Sequence, residues 1–255
     1  MPNRLVLEIC VESVDHAVAA ERGGAHRIEL CTDLSSGGVT PSAALMQTAR
    51  HQVRIPIHAL IRPRAGNFCY SNDELEIMRH DIRAAKQLGM DGVVLGVLQE
   101  NARVDTERTK ALVELAHPLP VTFHRAFDAS HNLETSLQDV IQTGASRILT
   151  SAGQPRATDG LQTLARLVQA AGERILIMPC GGINSDNVLD IVRTTLAQEV
   201  HSSAGASNPT SAGNGGDLSE GNNEAASDLQ ASLFEQKVAK LVSLLGGVSH
   251  HEPVR

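Results

Sequence analysis

The chain has 255 residues, 42% of them hydrophobic and only 2% aromatic with no Trp, so its core has to be built from Ala, Leu, Ile and Val. That composition suits helices packed on a parallel sheet and disfavours an all-β sandwich. A net charge of −7 supplies no basic face for nucleic acid, and four Cys at irregular spacing make no disulfide framework.

The first ten residues, MPNRLVLEIC, lack the apolar core and cleavage site of a signal peptide, and no apolar run reaches the length of a membrane span. A reduced, cytoplasmic, soluble protein is expected, with no membrane or nucleic-acid partner.

Strand-like and helix-like stretches alternate along the chain. Residues 4–11 read as a first strand, and Ser13 is placed to cap a helix that Gly23-Gly24 ends. A strand over 26–31 runs into TDLSSGGVT, and Pro41 opens a helix to about 52. Strand 55–61 leads through RPRAGNFCYSND to a helix over 73–88. Strand 92–96 precedes a helix over 105–116. Strand 120–124 is followed by RAFDASHN and a helix to 142, and strand 147–150 by SAGQPRATDG and a helix over 161–171. Strand 174–178 enters PCGGIN before a helix from 185, and 199–202 is the eighth strand.

Residues 203–228 are rich in Gly, Ser, Asn and Ala and have little to bury, which suits a mobile loop. Residues 229–245 are apolar at helical spacing and supply the last helix. Eight β/α units in one domain over 1–255 predict an α/β fold, a single TIM (β/α)8 barrel. A doubly wound open sheet is the alternative, but VESVD at the first strand–helix junction lacks the Gly-x-Gly turn of a dinucleotide fold.

Side chains two apart on a strand share a face. Glu8, Cys10 and Glu12 therefore line up, as do Glu29, Cys31 and Asp33. With these strands as neighbours, the thiols of Cys10 and Cys31 are expected side by side, and Glu8 is expected to pair with Glu29 one layer deeper. The apolar alternates, such as Leu7 and Ile9 or Ile28 and Leu30, face the helices. Inward positions then hold His58 and Arg62 on the third strand and Thr122 and His124 on the fifth. His201 or Ser202 closes the ring from the eighth. Barrels carry function at the C-terminal ends of their strands, so this mouth is the candidate site.

Three chemistries stay open there. Thiolates beside imidazole suit a thiophilic ion such as Cu(I) or Zn(II), although zinc would need a fourth ligand that the sequence does not supply. Alternatively, Gly-rich turns after strands seven and eight, with Arg62, Arg64 and Arg125, suit a small phosphorylated or carboxylated metabolite. A lyase, isomerase or hydrolase of that kind has Glu8, Glu29, His58, Arg62, His124 and Asp128 as its catalytic candidates. In the third reading Arg62 and His58 are the partners that a buried Glu requires, and the cluster is structural. Cys69 reads as incidental, and Cys180 has no evident partner.

Taken in order, LEICVES, RIELC with GGVTPS, IRPRAGNFCYS, DGVVLGVL, TFHRAFD, RILTSAG and PCGGIN resemble the CutC copper homeostasis family over residues 1 to about 204. The pairing of TFHRAFD with IRPR-x-G-x-F is highly specific. The resemblance implies a TIM barrel, a cytoplasmic location and a homo-oligomer, dimer or tetramer. It also implies copper binding, as Cu(I), through the Cys of the first and second strands, here Cys10 and Cys31. Against the family pattern, Cys180 stands where Gly is usual before Gly181-Gly182, and Ala152 replaces a Gly after LTS. The loop after the eighth strand is Gly/Asn-rich where relatives carry a Met and a basic residue.

Overall fold

The computed structural model describes residues 5–205 and 220–248, with side chains from 229 onward in the second stretch. The strands are β1 (Val6–Val11), β2 (Arg27–Leu30), β3 (Ile57–Leu60), β4 (Gly92–Leu95), β5 (Val121–Phe123), β6 (Arg147–Thr150), β7 (Leu176–Pro179) and β8 (Glu199–Ser202). The helices between and after them are α1 (Val14–Arg22), α2 (Ala43–Gln52), α3 (Asn72–Gln87), α4 (Thr106–Ala116), α5 (Leu133–Thr143), α6 (Leu161–Ala171), α7 (Val188–Thr195) and α8 (Glu220–Gly246).

The parallel ladder runs without a break from β7 through β6 and on round to β1 and β8. β7 then packs beside β8, and the Ser202 hydroxyl donates to the Ile183 carbonyl at 2.6 Å across that seam. This is the expected (β/α)8 barrel, and β8 beside β1 rules out the open sheet.

The alternation of apolar residues decides which way each strand faces. Leu7, Ile9, Ile28, Leu30, Ile57 and Phe123 are wholly buried in the large apolar layer between strands and helices. Each such side chain contributes about 1.5–3 kcal/mol by leaving water. Helix starts follow local chemistry: Ser13, Ser42, Ser71, Asp105 and Asn132 each accept a backbone N–H in the first turn. Ser71 and Glu74 complete a capping box on α3.

Most boundaries fall within two residues of expectation, and two helix starts differ by more. α7 begins at Val188, not 185, because Asn side chains hold the preceding turn: Asn187 accepts from the Asn184 N–H, and Asn184 from the Asp186 N–H. α8 begins at Glu220, nine residues inside the stretch read as loop. EAASDL in that stretch supplies Ala and Leu, which favour helix. The rest of that expected loop, 206–219, lies outside the described residues.

α8 docks on α1, with the His16 ring stacked on Phe234 at 4.5 Å. A Cβ at Gly23 would lie 2.7 Å from the Val238 Cβ and 2.8 Å from the Glu235 carbonyl, so only glycine lets the two helices approach this closely. Among the described residues no helix is long and apolar enough to cross a membrane.

Candidate functional site

The inner face of the barrel divides into a floor, at the starts of the strands, and a mouth, at their ends. On the floor the register departs from the expected one. Glu8 lies opposite Arg27, and Cys10 opposite Glu29. Strands in a closed barrel are staggered, so same-face residues meet one step off level. Glu8 therefore does not pair with Glu29. Its carboxylate is bound by Arg27 Nε, and Arg27 Nη2 reaches Glu199 at 2.6 Å. Arg147 Nε meets the same Glu199 oxygen at 3.1 Å, and Arg147 also lies 3.4 Å from the Thr122 hydroxyl. His201 Nδ1 sits 2.7 Å from the other Glu8 oxygen.

Burial alone would raise the Glu8 pKa. The Arg27 guanidinium, then the His201 bond, outweigh it and hold the carboxyl well below the usual range. Glu8 is thus an acceptor only, so His201 Nδ1 carries the proton between them. Burial works against protonated His201, but the Glu8 bond and the nearby Glu29 raise its pKa.

In the structural reading of the cluster, Arg62 and His58 partner the buried carboxylates, but the closest approach is long and Arg62 turns to loop carbonyls. His58 Nδ1 comes only to 3.9 Å from Glu8. Burial pushes its pKa down to about 3, so the ring is neutral. Glu8 and His58 both lie beneath the mouth and do not line its cavity. Arg27, Arg147 and Glu199 went unnoticed in the sequence, although parity could have found them. RIELC puts Arg27 on the face of Glu29 and Cys31, and EVHS puts Glu199 on the face of His201.

The mouth holds a cavity of about 220 Å³ whose walls include Cys10, Glu29, Arg62, His124, Cys180 and His201. The thiols of Cys10 and Cys31 are side by side, as expected, with Sγ atoms 3.5 Å apart. Both are buried and free. The Cys10 thiol also points to Glu29 Oε1 at 3.7 Å. The contact with Cys31 raises the Cys10 pKa well above its ordinary value, and burial and Glu29 add to this. Burial pushes Glu29 up to about 7, with His201 pulling down and Glu8 pushing up. Cys10, Glu29 and His201 offer donor atoms that all lie within 4.8 Å of one another. Because His201 Nδ1 is committed to Glu8, its Nε2 is the nitrogen left for a ligand, the usual arrangement behind a metal-bound imidazole.

Also at the mouth, Arg62 donates to the carbonyls of Gly38 at 2.7 Å and Gly66 at 2.8 Å and lies over the Phe68 ring. His124 packs on the same ring, 4.9 Å between centroids. Its Nδ1 accepts from the Ala126 N–H at 3.2 Å. Burial, helped by Arg62, lowers the His124 pKa to about 3.

Asp128 does not line the cavity. It accepts from the Thr150 hydroxyl, from the Ser151 and Gly153 N–H groups and from Arg125 at 2.8 Å, bracing the exit of β5 against that of β6. Arg64 is tied to Glu74 and the Cys69 carbonyl, away from the mouth. Gly181 and Gly182 reach the cavity with φ of 92° and 70°. The start of α7 is five residues beyond Gly182 at its Asn187 cap, so the Gly turn after β7 does not lead directly into a helix N-terminus. Cys180 is buried on the cavity wall, whereas Cys69 is half-buried with its thiol 3.2 Å from the Gln99 carbonyl.

Comparison with known proteins agrees over the same span. The model of the CutC family matches residues 5–206. A human copper homeostasis protein cutC homolog is 46% identical over 202 residues, covering 79% of this chain and 74% of that protein. A family protein CutC of Vibrio parahaemolyticus is 47% identical over 206 residues, covering 80% and 83%. A Streptococcus agalactiae structure described as a copper homeostasis protein CutC superposes with a TM-score of 0.74 at 32% identity, covering 78% of this chain and 98% of that one.

Proposed function

The chain belongs to the CutC family, and from that premise we propose that it is a copper-homeostasis protein binding Cu(I) at the mouth of the barrel through Cys10 and Cys31. The observation that carries this reading is the pair of buried free thiols 3.5 Å apart, with Glu29 and His201 beside Cys10. Thiolate is the soft ligand that selects Cu(I), and imidazole is compatible with it.

The donor set fits such an ion. Cys10 is the shared member, next to Cys31 on one side and to the Glu29–His201 pair on the other. Both thiols must lose their protons to bind, and Glu29 is the acceptor already in contact with Cys10. Arg27 holds Glu8, Glu8 holds His201, and the imidazole is thereby aimed before any ion arrives. The protein works in the cytoplasm as a homo-oligomer, a dimer or tetramer, and no catalytic activity is assigned to it.

Anaerobic Cu(I) titration of reduced protein against a competing chelator tests this. Wild type is expected to bind stoichiometrically, and Cys10→Ser and Cys31→Ser each to lose that binding while keeping the wild-type melting temperature. Copper binding retained in both single variants would refute the assignment.

A further inference from the structure

The wall of the mouth cavity also holds two unfinished side chains. Arg62 is 5% exposed and His124 4%. Both line the cavity, and each has one buried nitrogen without a partner, Arg62 Nε and His124 Nε2. Buried donors in this state are rare in native proteins and ask for a missing acceptor.

For Arg62 the gap is one of charge as well as of hydrogen bonding. Its terminal nitrogens go to the carbonyls of Ser36, Gly38 and Gly66, which carry no charge. Asp33 feels the guanidinium but is fully exposed and engaged by Ser35. The Tyr70 phenol nearby is pushed up to about 12 by burial and stays neutral. A guanidinium out of water without a counter-ion is costly, so the site favours an anion. For His124 the geometry fixes the tautomer: Nδ1 accepts from the Ala126 N–H, so the ring proton sits on Nε2, aimed at nothing.

The two side chains pack on one aromatic ring, Phe68: the Arg62 guanidinium carbon and the His124 ring centroid each lie 4.9 Å from its centroid. One negative charge shared over two acceptor oxygens, with a little apolar surface beside it, is what this wall lacks. We propose that Arg62 and His124 form a subsite for the carboxylate of a small organic acid, whose remaining atoms extend toward Glu29 and Cys10.

Charge separates this ligand from a phosphate ester. A phosphate dianion would need a second free cation, but Arg125, the other guanidinium on the wall, is already paired with Asp128 at 2.8 Å. The cavity of about 220 Å³ lies below the usual range of small-molecule sites, which suits a small acid. The subsite stands on different residues from the thiol pair and does not depend on copper.

Calorimetric titration of the full chain with acetate, pyruvate and inorganic phosphate, with a Cu(I) chelator present throughout, tests it. At least one carboxylate is expected to bind saturably and more tightly than phosphate. Affinity is expected to fall at least tenfold in His124→Phe, which keeps the packing on Phe68, and in Arg62→Lys, which keeps the charge but loses Nε. In 15N-labelled wild type, the Arg62 Nε–H and His124 Nε2–H resonances should shift together on saturation, a change that a purely structural role would not produce. No saturable carboxylate binding, tighter phosphate binding, or undiminished affinity in a folded His124→Phe would overturn the subsite. Because copper is sequestered, none of those failures touches the copper assignment.

Discussion

On the barrel floor, Glu8, Arg27, Glu199 and Arg147 answer one another's charges. At the mouth, Arg62, His124 and Glu29 keep open nitrogens and oxygens. The residue types are much the same in both places, and so is the burial. What differs is whether the charged groups are answered, for the neutral His58 beneath the mouth also keeps a buried Nδ1 without a partner. A closed network of buried ions holds strands in register and leaves nothing to offer a ligand, whereas an open one is unstable until something fills it. On the proposed function the two ionisable layers divide the work: the floor orients His201, and the mouth is the part that would receive a ligand.

The largest test of that contrast is loss of the central guanidinium. Arg27→Met leaves Glu8 without its main partner and Glu199 with only Arg147, and is expected to cost about 3–5 kcal/mol in urea denaturation. Arg62→Met, which strands no carboxylate, should cost clearly less. Equal losses would break the distinction between floor and mouth.

A second comparison uses two glycines at the ends of β4, Gly92 at its start and Gly96 just past its last residue. A Cβ at Gly92 would lie 2.5 Å from the His58 ring, and one at Gly96 would lie 2.7 Å from the His124 ring. The His58 ring has no cavity to move into, so Gly92→Ala is expected to cost about 1–3 kcal/mol by overpacking. The His124 ring can swing toward the mouth. Gly96→Ala should therefore spare more stability, as read from melting curves, while weakening carboxylate binding.

The last test is a slope. His58 and His124 are both held near 3 in the fold, against about 6.5 for a free imidazole. Their folded pKa values are depressed, so the stability tied to them is full above about pH 6.5 and drains away as pH falls toward 3. Each proton taken up on unfolding adds about 1.4 kcal/mol per pH unit to that decline. Urea titrations between pH 7 and 4 should show a shallower decline in His58→Gln and in His124→Gln. A slope unchanged in either would mean that ring is protonated in the fold.

Much of this was legible in the residues. The cap at Ser13, the strands over 147–150 and 199–202 and the helix over 161–171 fall where local pattern put them. The inward face of Cys10, Glu29, Arg62 and His124 followed from alternation alone. Hidden from view were the start of α7, set by two Asn side chains closing on their own turn, and the start of α8 inside a stretch of loop-like composition.

The sequence by itself determined the order of elements, the barrel and which side chains enter it, because caps and two-residue alternation act over a few neighbouring positions. Only the tertiary structure decided who meets whom. Stagger between strands sends Glu8 to Arg27 and brings Glu199, 172 residues from Arg27 along the chain, to the same guanidinium. It also ties Arg62 to loop carbonyls and leaves its Nε, with His124 Nε2, buried without a partner in side chains that line the cavity. Partnership between distant residues depends on the shear of the closed sheet, and no local pattern encodes that shear.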